Sequence, residues 1–287
     1  MADYFKNAKL SEASKKKYNS FIDKWLSFGI GSMNEVIASP SKAMKALEDS
    51  GVSQSHASKH NYISAVVAYI LHCIPLDQQA LHRPKWIEIQ TSNQKPIQER
   101  YENQVMTERQ TTTAITWNQL LEARKANPDN LLLAMYTYVP PVRADYNELM
   151  IFRPSDRIPE KGNYNYIVLG TDYTLVLQEF KTATTYKKIQ QVIPEALKKV
   201  IDKSLLERPR DYLFALESGT PMSPAYFSAW AGEQLTKMLG QKTNLTAIRH
   251  AYVENIDYNM PYRDLKKITN LMGHSVERSM LYKLKKA

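Results

Sequence analysis

Only one stretch of this chain carries the residue pattern of strands, and that fact limits its fold more than any other. Residues 166–169, 174–178 and 188–193 alternate or run apolar with β-branched side chains, as a small antiparallel sheet does. Elsewhere the apolar residues recur at helical spacing. Tyr18, Phe21, Ile22, Trp25 and Leu26 form one stripe behind a Ser11 start signal, with Gly29 and Gly31 to end it. Helices are also expected at 41–47 and at 53–74, where Pro75 stops the run. Others are expected at 117–125, 130–138, 194–206, 223–239, 245–257, 262–272 and 276–284. A short helix should follow Arg143 and carry Tyr146 and Leu149 inward. The fold class is therefore mainly α with a small antiparallel β-sheet, an α+β chain.

At 287 residues the chain suits two domains better than one or three. The first is all helical and runs over 1–105. Between about 90 and 114 the sequence turns polar and rich in Thr and Gln, a composition that suits a hinge even though part of it, 96–105, has some helical character. The linker is placed at 106–116 and the second, mixed domain at 117–287.

Charge points to a polyanionic partner. A formal charge of +9 and a pI near 9.3 favour a phosphate backbone, from which clustered Lys and Arg release condensed counterions. In the first domain Lys15, Lys16, Lys17, Lys42, Lys45 and Lys59 lie opposite the apolar stripes, where a solvated face and a DNA-contacting face are equally consistent with the pattern. The longest apolar run, 63–71, is less than half a membrane span, so no membrane partner is expected. The first residues hold no apolar signal core, which leads us to expect a protein of the cytosol or nucleus and not a secreted one. Cys73 is the single cysteine, which excludes an intrachain disulfide and a cysteine-based metal cluster. No phosphate-binding Gly-rich loop and no His-Glu-x-x-His pattern occurs, so neither a nucleotide nor a metal is expected, and catalysis would fall to side chains alone.

Those side chains gather late in the sequence. Arg143 sits in Pro140-Pro141-Val142-Arg143-Ala144-Asp145-Tyr146 and Lys181 in Phe180-Lys181-Thr182. Arg249 precedes His250, His274 follows Gly273, and Tyr282 stands among Lys283, Lys285 and Lys286. The set suits a phosphodiester held while a tyrosine attacks it. The transition state gains charge on its non-bridging oxygens, and preorganised donors there are worth roughly 3–4 kcal/mol each. Arginine fits because its fork bonds two oxygens and never deprotonates. Tyrosine, with an ordinary pKa of about 10, needs cations nearby to act as a nucleophile. Lys181 is the chosen proton donor to the departing 5′ oxygen, with Lys187 as runner-up. Asp145 is a candidate to orient Arg143, and His250 is read as packing beside Arg249. Tyr252, Tyr258 and Tyr262 compete with Tyr282 as nucleophile, but each lies in or beside a helix with packing to do. The three terminal lysines suit a basic tail that touches phosphate or a neighbouring subunit.

In this order and at these separations, Arg143, Lys181, Ile248-Arg249-His250, Leu271-Met272-Gly273-His274-Ser275 and Tyr282 resemble the tyrosine recombinase (phage-integrase) family, and most of all its integrase-like members from viruses and mobile elements. The resemblance covers residue 117 to the end. Residues 1–105 are similar in size, helicity and basicity to the family's core-binding domain, which closes a C-shaped clamp over DNA. The resemblance implies a site-specific recombinase or integrase that binds double-stranded DNA, forms a 3′-phosphotyrosine through Tyr282, and exchanges strands in a homotetramer, a dimer of dimers, through a Holliday junction. Two features depart from the family. Thr246 stands three residues before Arg249, where His or Lys is frequent, so its hydroxyl would bond phosphate without adding charge. His274 and Tyr282 are eight residues apart where nine is more common, and one residue turns a helical side chain by about 100°. A type IB topoisomerase or telomere resolvase would use the same chemistry. A catalytically silent DNA-binding protein of the same fold would keep the residues without the reaction.

Overall fold

A computed structural model describes residues 3–52, 54–159 and 162–283. The chain divides into two compact units, Met1–Asn103 and Gln104–Ala287.

The first unit is helical throughout: α1 (Glu12–Ser27), α2 (Met33–Ala38), α3 (Pro40–Asp49), α4 (His56–Cys73) and α5 (Leu76–Glu102). Ser11 and Ser55 cap α1 and α4 by accepting backbone N–H bonds from Ser14 and Ser58. Ile22, Trp25, Ile63, Ile70 and Trp86 are fully buried at its centre. Both indoles find acceptors there: Trp25 donates to the Tyr62 carbonyl at 3.1 Å and Trp86 to the Ile37 carbonyl at 3.2 Å. Of the first unit's lysines, Lys15 pairs with Glu12 and Lys59 with Glu48, each at 3.0 Å.

Helix α5 departs from expectation. The sequence reads as a stop at Pro75 followed by a polar hinge, yet α5 runs unbroken to Glu102 with Pro84 and Pro96 inside it. Tertiary contacts outweigh the lost donors. Trp86 anchors the helix in the core, while Asn93, almost fully buried, donates to the His56 carbonyl at 2.8 Å and lies 3.1 Å from His56 Nδ1. Gln90 donates to Ser64 Oγ at 3.0 Å. The polar residues that make the segment look like a hinge are partners for polar groups of α4.

The second unit comprises α6 (Glu108–Thr113), α7 (Trp117–Ala126), α8 (Leu131–Thr137), β1 (Met150–Phe152), β2 (Tyr166–Val168), β3 (Thr174–Leu177), α9 (Ala183–Tyr186), β4 (Ile189–Val192), α10 (Glu195–Glu207), α11 (Pro224–Leu239), α12 (Leu245–Glu254), α13 (Tyr262–Leu271) and α14 (Val276–Leu281). The stretch 106–116, expected as linker, contains α6 with a Thr107–Gln110 capping box, and Thr113 and Ile115 are buried within this unit.

The sheet has the order β1-β2-β3-β4 and is mixed, which corrects the antiparallel expectation. The three expected strands pair antiparallel, and the unforeseen β1 adds in parallel to β2. Register places Ile151 opposite Ile167 and Ile167 opposite Leu175, so one row of aliphatic side chains crosses three strands into the core. Tyr136, Tyr146, Leu149 and Ile248 complete the centre, all fully buried. Residues 145–148 form a turn in place of the expected helix. The Arg143 N–H donates to Asp145 Oδ2, the Asp145 carbonyl accepts from Asn165, and Asn147 donates to the Met222 carbonyl. Those groups are bonded across the fold instead of along a helix axis, while Tyr146 and Leu149 still point inward.

Asn93→Ala should destabilise the first unit by about 1–3 kcal/mol, since the His56 groups lose their buried partner. Urea unfolding followed by circular dichroism checks this, and an unchanged midpoint would mean that α5 holds by apolar packing alone.

Candidate active site

Helix α12 supplies the first part of the site. Asn244 caps it by accepting from the Ala247 N–H at 3.0 Å, and Leu245, Ile248 and Ala251 bury one face in the core. Arg249 follows Ile248 and is itself only 2% exposed. Its Nη2 donates to the Met272 carbonyl at 3.4 Å and to His274 Nε2. A guanidinium only donates, so Nε2 accepts and the neutral ring of His274 carries its proton on Nδ1. Arg249 Nε and His274 Nδ1 are buried donors without a protein partner, a costly state unless a ligand relieves it.

A Schellman turn delivers His274. Helix α13 ends at Met272, the Gly273 N–H donates to Asn270 O, and the His274 N–H donates to Thr269 O. Gly273 has φ +66°, and a Cβ there would lie 3.0 Å from Thr182 Oγ1 and 3.3 Å from the Phe180 ring. Only glycine meets both demands. Thr182 Oγ1 also donates to the Gly273 carbonyl at 2.9 Å. The turn that carries Lys181 is thus stapled to the turn that carries His274, through the residues on either side of Lys181.

Ser275 then caps α14 by accepting from the Arg278 N–H at 3.1 Å, and Tyr282 occupies the C-cap. The Tyr282 ring lies 4.8 Å from the His274 ring, tilted by 50°, and 4.8 Å from the His250 ring, stacked at 20°. The guanidinium carbons of Arg249 and Arg278 lie 5.8 and 5.6 Å from its centroid.

The electrostatics are dominated by burial and by two neighbouring guanidinium groups. Burial and the nearby Arg143 charge push Arg249 down to about 10, which still leaves it cationic at neutral pH. Burial and then Arg249 and Arg143 push His274 down to about 3, so its ring is neutral. The Asp145 carboxylate acts on Arg249 through its charge, and burial raises its own pKa despite the Arg143 N–H and the two guanidinium charges. Among the described residues no carboxylate lies within ion-pair distance of Arg143 or Arg249. Two guanidinium groups that destabilise each other, with no counterion of their own, suit an anionic ligand.

The structure therefore brings Arg249, His274 and Tyr282 into contact, with Arg143 close enough to act on the first two. Lys181 is exposed and makes no hydrogen bond or ion pair among the described residues. Thr246 is exposed one turn before Arg249, on a cavity of about 560 Å³ that His250, Arg109 and Ser228 also line. Asp145 holds the main chain of Arg143 through a 3.0 Å bond to its N–H. Two of the competing tyrosines are otherwise engaged: Tyr252 packs edge-on against Trp117 and burial raises it to about 12, and Tyr258 bonds Ser279; Tyr262, at the start of α13, is 61% exposed. Lys187 is exposed with φ +60°, Lys283 lies over the Tyr258 ring, and Lys285 and Lys286 fall outside the described residues. Two residues gain importance over their sequence reading. His250 touches Tyr282 directly, and Thr182 bonds the His274 turn. Only the Gly273-His274 and Lys181-Thr182 dipeptides hinted at the second contact.

No protein-family model matches the sequence, and no curated protein matches it. Among the described residues no helix is long and apolar enough to cross a membrane, and no group of three His, Cys, Asp or Glu is placed to hold a metal ion. Solved structures do match. An integrase of the Tn1549 transposon, in complex with transposon right-end DNA, is 12% identical over 97% of this chain and 91% of its own, with a TM-score of 0.55. A lambda integrase dimer bound to a COC′ core site is 14% identical over 96% of this chain and 90% of its own, with a TM-score of 0.50.

Two predictions follow from the site's geometry and charge. Gly273→Ala should destabilise the second unit by about 1–3 kcal/mol through strain at positive φ, read as a lower urea midpoint. Because the folded His274 ring stays neutral to about pH 3 while an unfolded one protonates near 6.5, stability should fall as pH drops through that window. Wild type should lose more stability between pH 7 and pH 4 than His274→Gln, and equal losses would show that the ring is not held neutral. The path of the chain through its mixed sheet and the helices behind it, shared with both integrases over nearly its whole length, is the fold of the tyrosine recombinases.

Proposed function

We propose that this chain is a site-specific DNA recombinase or integrase that cuts and rejoins strands through Tyr282. The observation that carries the reading is the buried guanidinium of Arg249, which lacks a carboxylate partner and lies against both the His274 imidazole and the Tyr282 ring. One phosphodiester supplies the negative charge this arrangement lacks. Arg143 and Arg249 bind its non-bridging oxygens, neutral His274 donates a further bond, and Thr246 adds an uncharged hydroxyl. The Tyr282 oxygen attacks phosphorus and forms a 3′-phosphotyrosine. The bond to the 5′ oxygen breaks, that oxygen takes a proton from Lys181, and the phenol's proton is lost to solvent. Attack by the 5′ hydroxyl of another strand reverses these steps and regenerates the phenol. The phosphotyrosine stores the energy of the broken bond, so religation needs no ATP.

A net charge of +9 and the likeness to a transposon integrase seen with transposon-end DNA support double-stranded DNA as the partner and a mobile element as the origin. The lambda integrase dimer on its core site supports assembly on DNA, which in this reading reaches a homotetramer, a dimer of dimers. The helical first unit serves as the second half of a DNA clamp, and the protein acts wherever the cell keeps its DNA.

Covalent trapping tests the proposal. Incubated in EDTA with a pool of nicked duplexes carrying a bridging phosphorothiolate, wild type should form a denaturation-resistant protein–DNA adduct. Tyr282→Phe should abolish it, Tyr258→Phe should retain it, and Arg249→Gln should slow it by about 10²–10³-fold. Tight DNA binding without any adduct would instead identify a silent DNA-binding protein of this fold. Relaxation of one plasmid without exchange between two sites would identify a topoisomerase.

A further inference from the structure

The proposed chemistry leaves His250 without a task, yet this residue makes the most direct hold on Tyr282. Its Nδ1 lies 2.8 Å from the Tyr282 carbonyl oxygen, and its ring stacks on the phenol at 4.8 Å and 20°. A carbonyl only accepts, so Nδ1 carries the proton and donates. Burial lowers the ring's affinity for a second proton, the bond to Tyr282 raises it, and the Arg249 charge lowers it again.

The local structure gives Tyr282 little support of its own. Helix α14 has six residues, too few for stability in isolation, and Tyr282 stands at its C-cap. The carbonyls of a last helical turn have no partner within the helix, and the Tyr282 carbonyl is one of these. Within the helix the residue is tied through its N–H, at 2.9 Å from the Ser279 carbonyl. Its direction depends on what meets it from outside. Helix α12 meets it twice at one residue, by a main-chain hydrogen bond and by a ring stack. The residue just before it in α12 is Arg249, so one helix carries both the buried guanidinium and the side chain that holds the tyrosine.

We propose that His250 is a positioning residue for Tyr282, one that fixes the main chain and ring of the nucleophile relative to Arg249. The inference rests on the reading of Tyr282 as the nucleophile. It also accounts for the short interval of eight residues after His274. With α14 stopped so early, the main-chain direction at Tyr282 is held from α12, while Arg278 of α14 and His274 meet the ring from other sides.

Two substitutions separate the contacts. His250→Phe keeps a flat ring for stacking and loses the donor, while His250→Asn places an amide N–H where Nδ1 was and loses the ring. Single-turnover adduct formation on the phosphorothiolate duplex pool is measured at saturating DNA, together with DNA affinity and urea midpoint. The expected result is that His250→Phe cleaves about tenfold more slowly with unchanged DNA affinity, and that His250→Asn returns to within about threefold of wild type. Rates should follow the donor and not the urea midpoint. Cleavage by His250→Phe at the wild-type rate overturns the inference alone. So does a rate that tracks the midpoint in both variants, or a loss confined to DNA affinity. If wild type itself gives no adduct, the reading of Tyr282 fails, and this inference with it.

Discussion

The buried guanidinium of Arg249 is the constraint on which the rest of the second unit depends. A charge this deep costs free energy unless it is paired, and here the neighbouring carboxylate, Asp145, is itself pushed toward neutrality by burial. Arg143 adds like charge, so each guanidinium makes the other less comfortable. The protein does supply acceptors, the Met272 carbonyl and His274 Nε2, but both are neutral. They accept from Nη2 alone, leave Nε without a protein partner, and cancel no charge. A site arranged in this way, with several donors converging on one point and no carboxylate to pair them, suits an anion that accepts from more than one donor at once.

Holding such a charge in place requires a rigid surround, and the chain builds it from turns as much as from helices. The Schellman turn after α13 sets the direction of His274 through two backbone bonds. Gly273 then lets the Phe180–Thr182 turn approach within contact distance, and Thr182 closes the approach with a hydrogen bond. Asp145 locks the turn of Arg143 by its main chain, leaving that guanidinium free for a ligand. For Arg143 and His274 the bond that fixes the turn is made by the main chain, and for the Lys181 turn it is made by Thr182, so these turns are held without using the charged side chains.

Much of this was legible in the sequence, for reasons that differ by residue. The helix stripes of α1 and α4 and the three strands of the hairpin region show because their periods repeat several times. Strand β1 did not show because three residues, Met150–Phe152, are too few to display a period. Helix α5 stayed hidden because Pro84 and Pro96 are local breakers, while the contacts that override them, Trp86 with Ile37 and Asn93 with His56, are distant in sequence. Arg249, His274 and Tyr282, which the fold brings into contact, and Arg143, whose charge reaches the first two, stand in the sequence as separate charged or polar residues in short motifs, whereas no contact ties Lys181 to them among the described residues. The partnership of His250 with Tyr282 could not be read from the sequence, since a histidine that bonds a main-chain carbonyl leaves no pattern in the residues it bonds.

The eight-residue interval between His274 and Tyr282 is set by where α14 begins and ends. If α14 alone aimed the phenol, losing one residue would rotate it by about 100° and remove it from the site. The helix instead begins at once after His274, with Ser275 as its cap, and ends after six residues, so the tyrosine sits where the helical path stops constraining it. From there its position is decided by the rings of His250 and His274 and by the cations around its face. A side chain placed by its contacts at a helix end tolerates changes in the length of the segment before it. One placed by helical register does not.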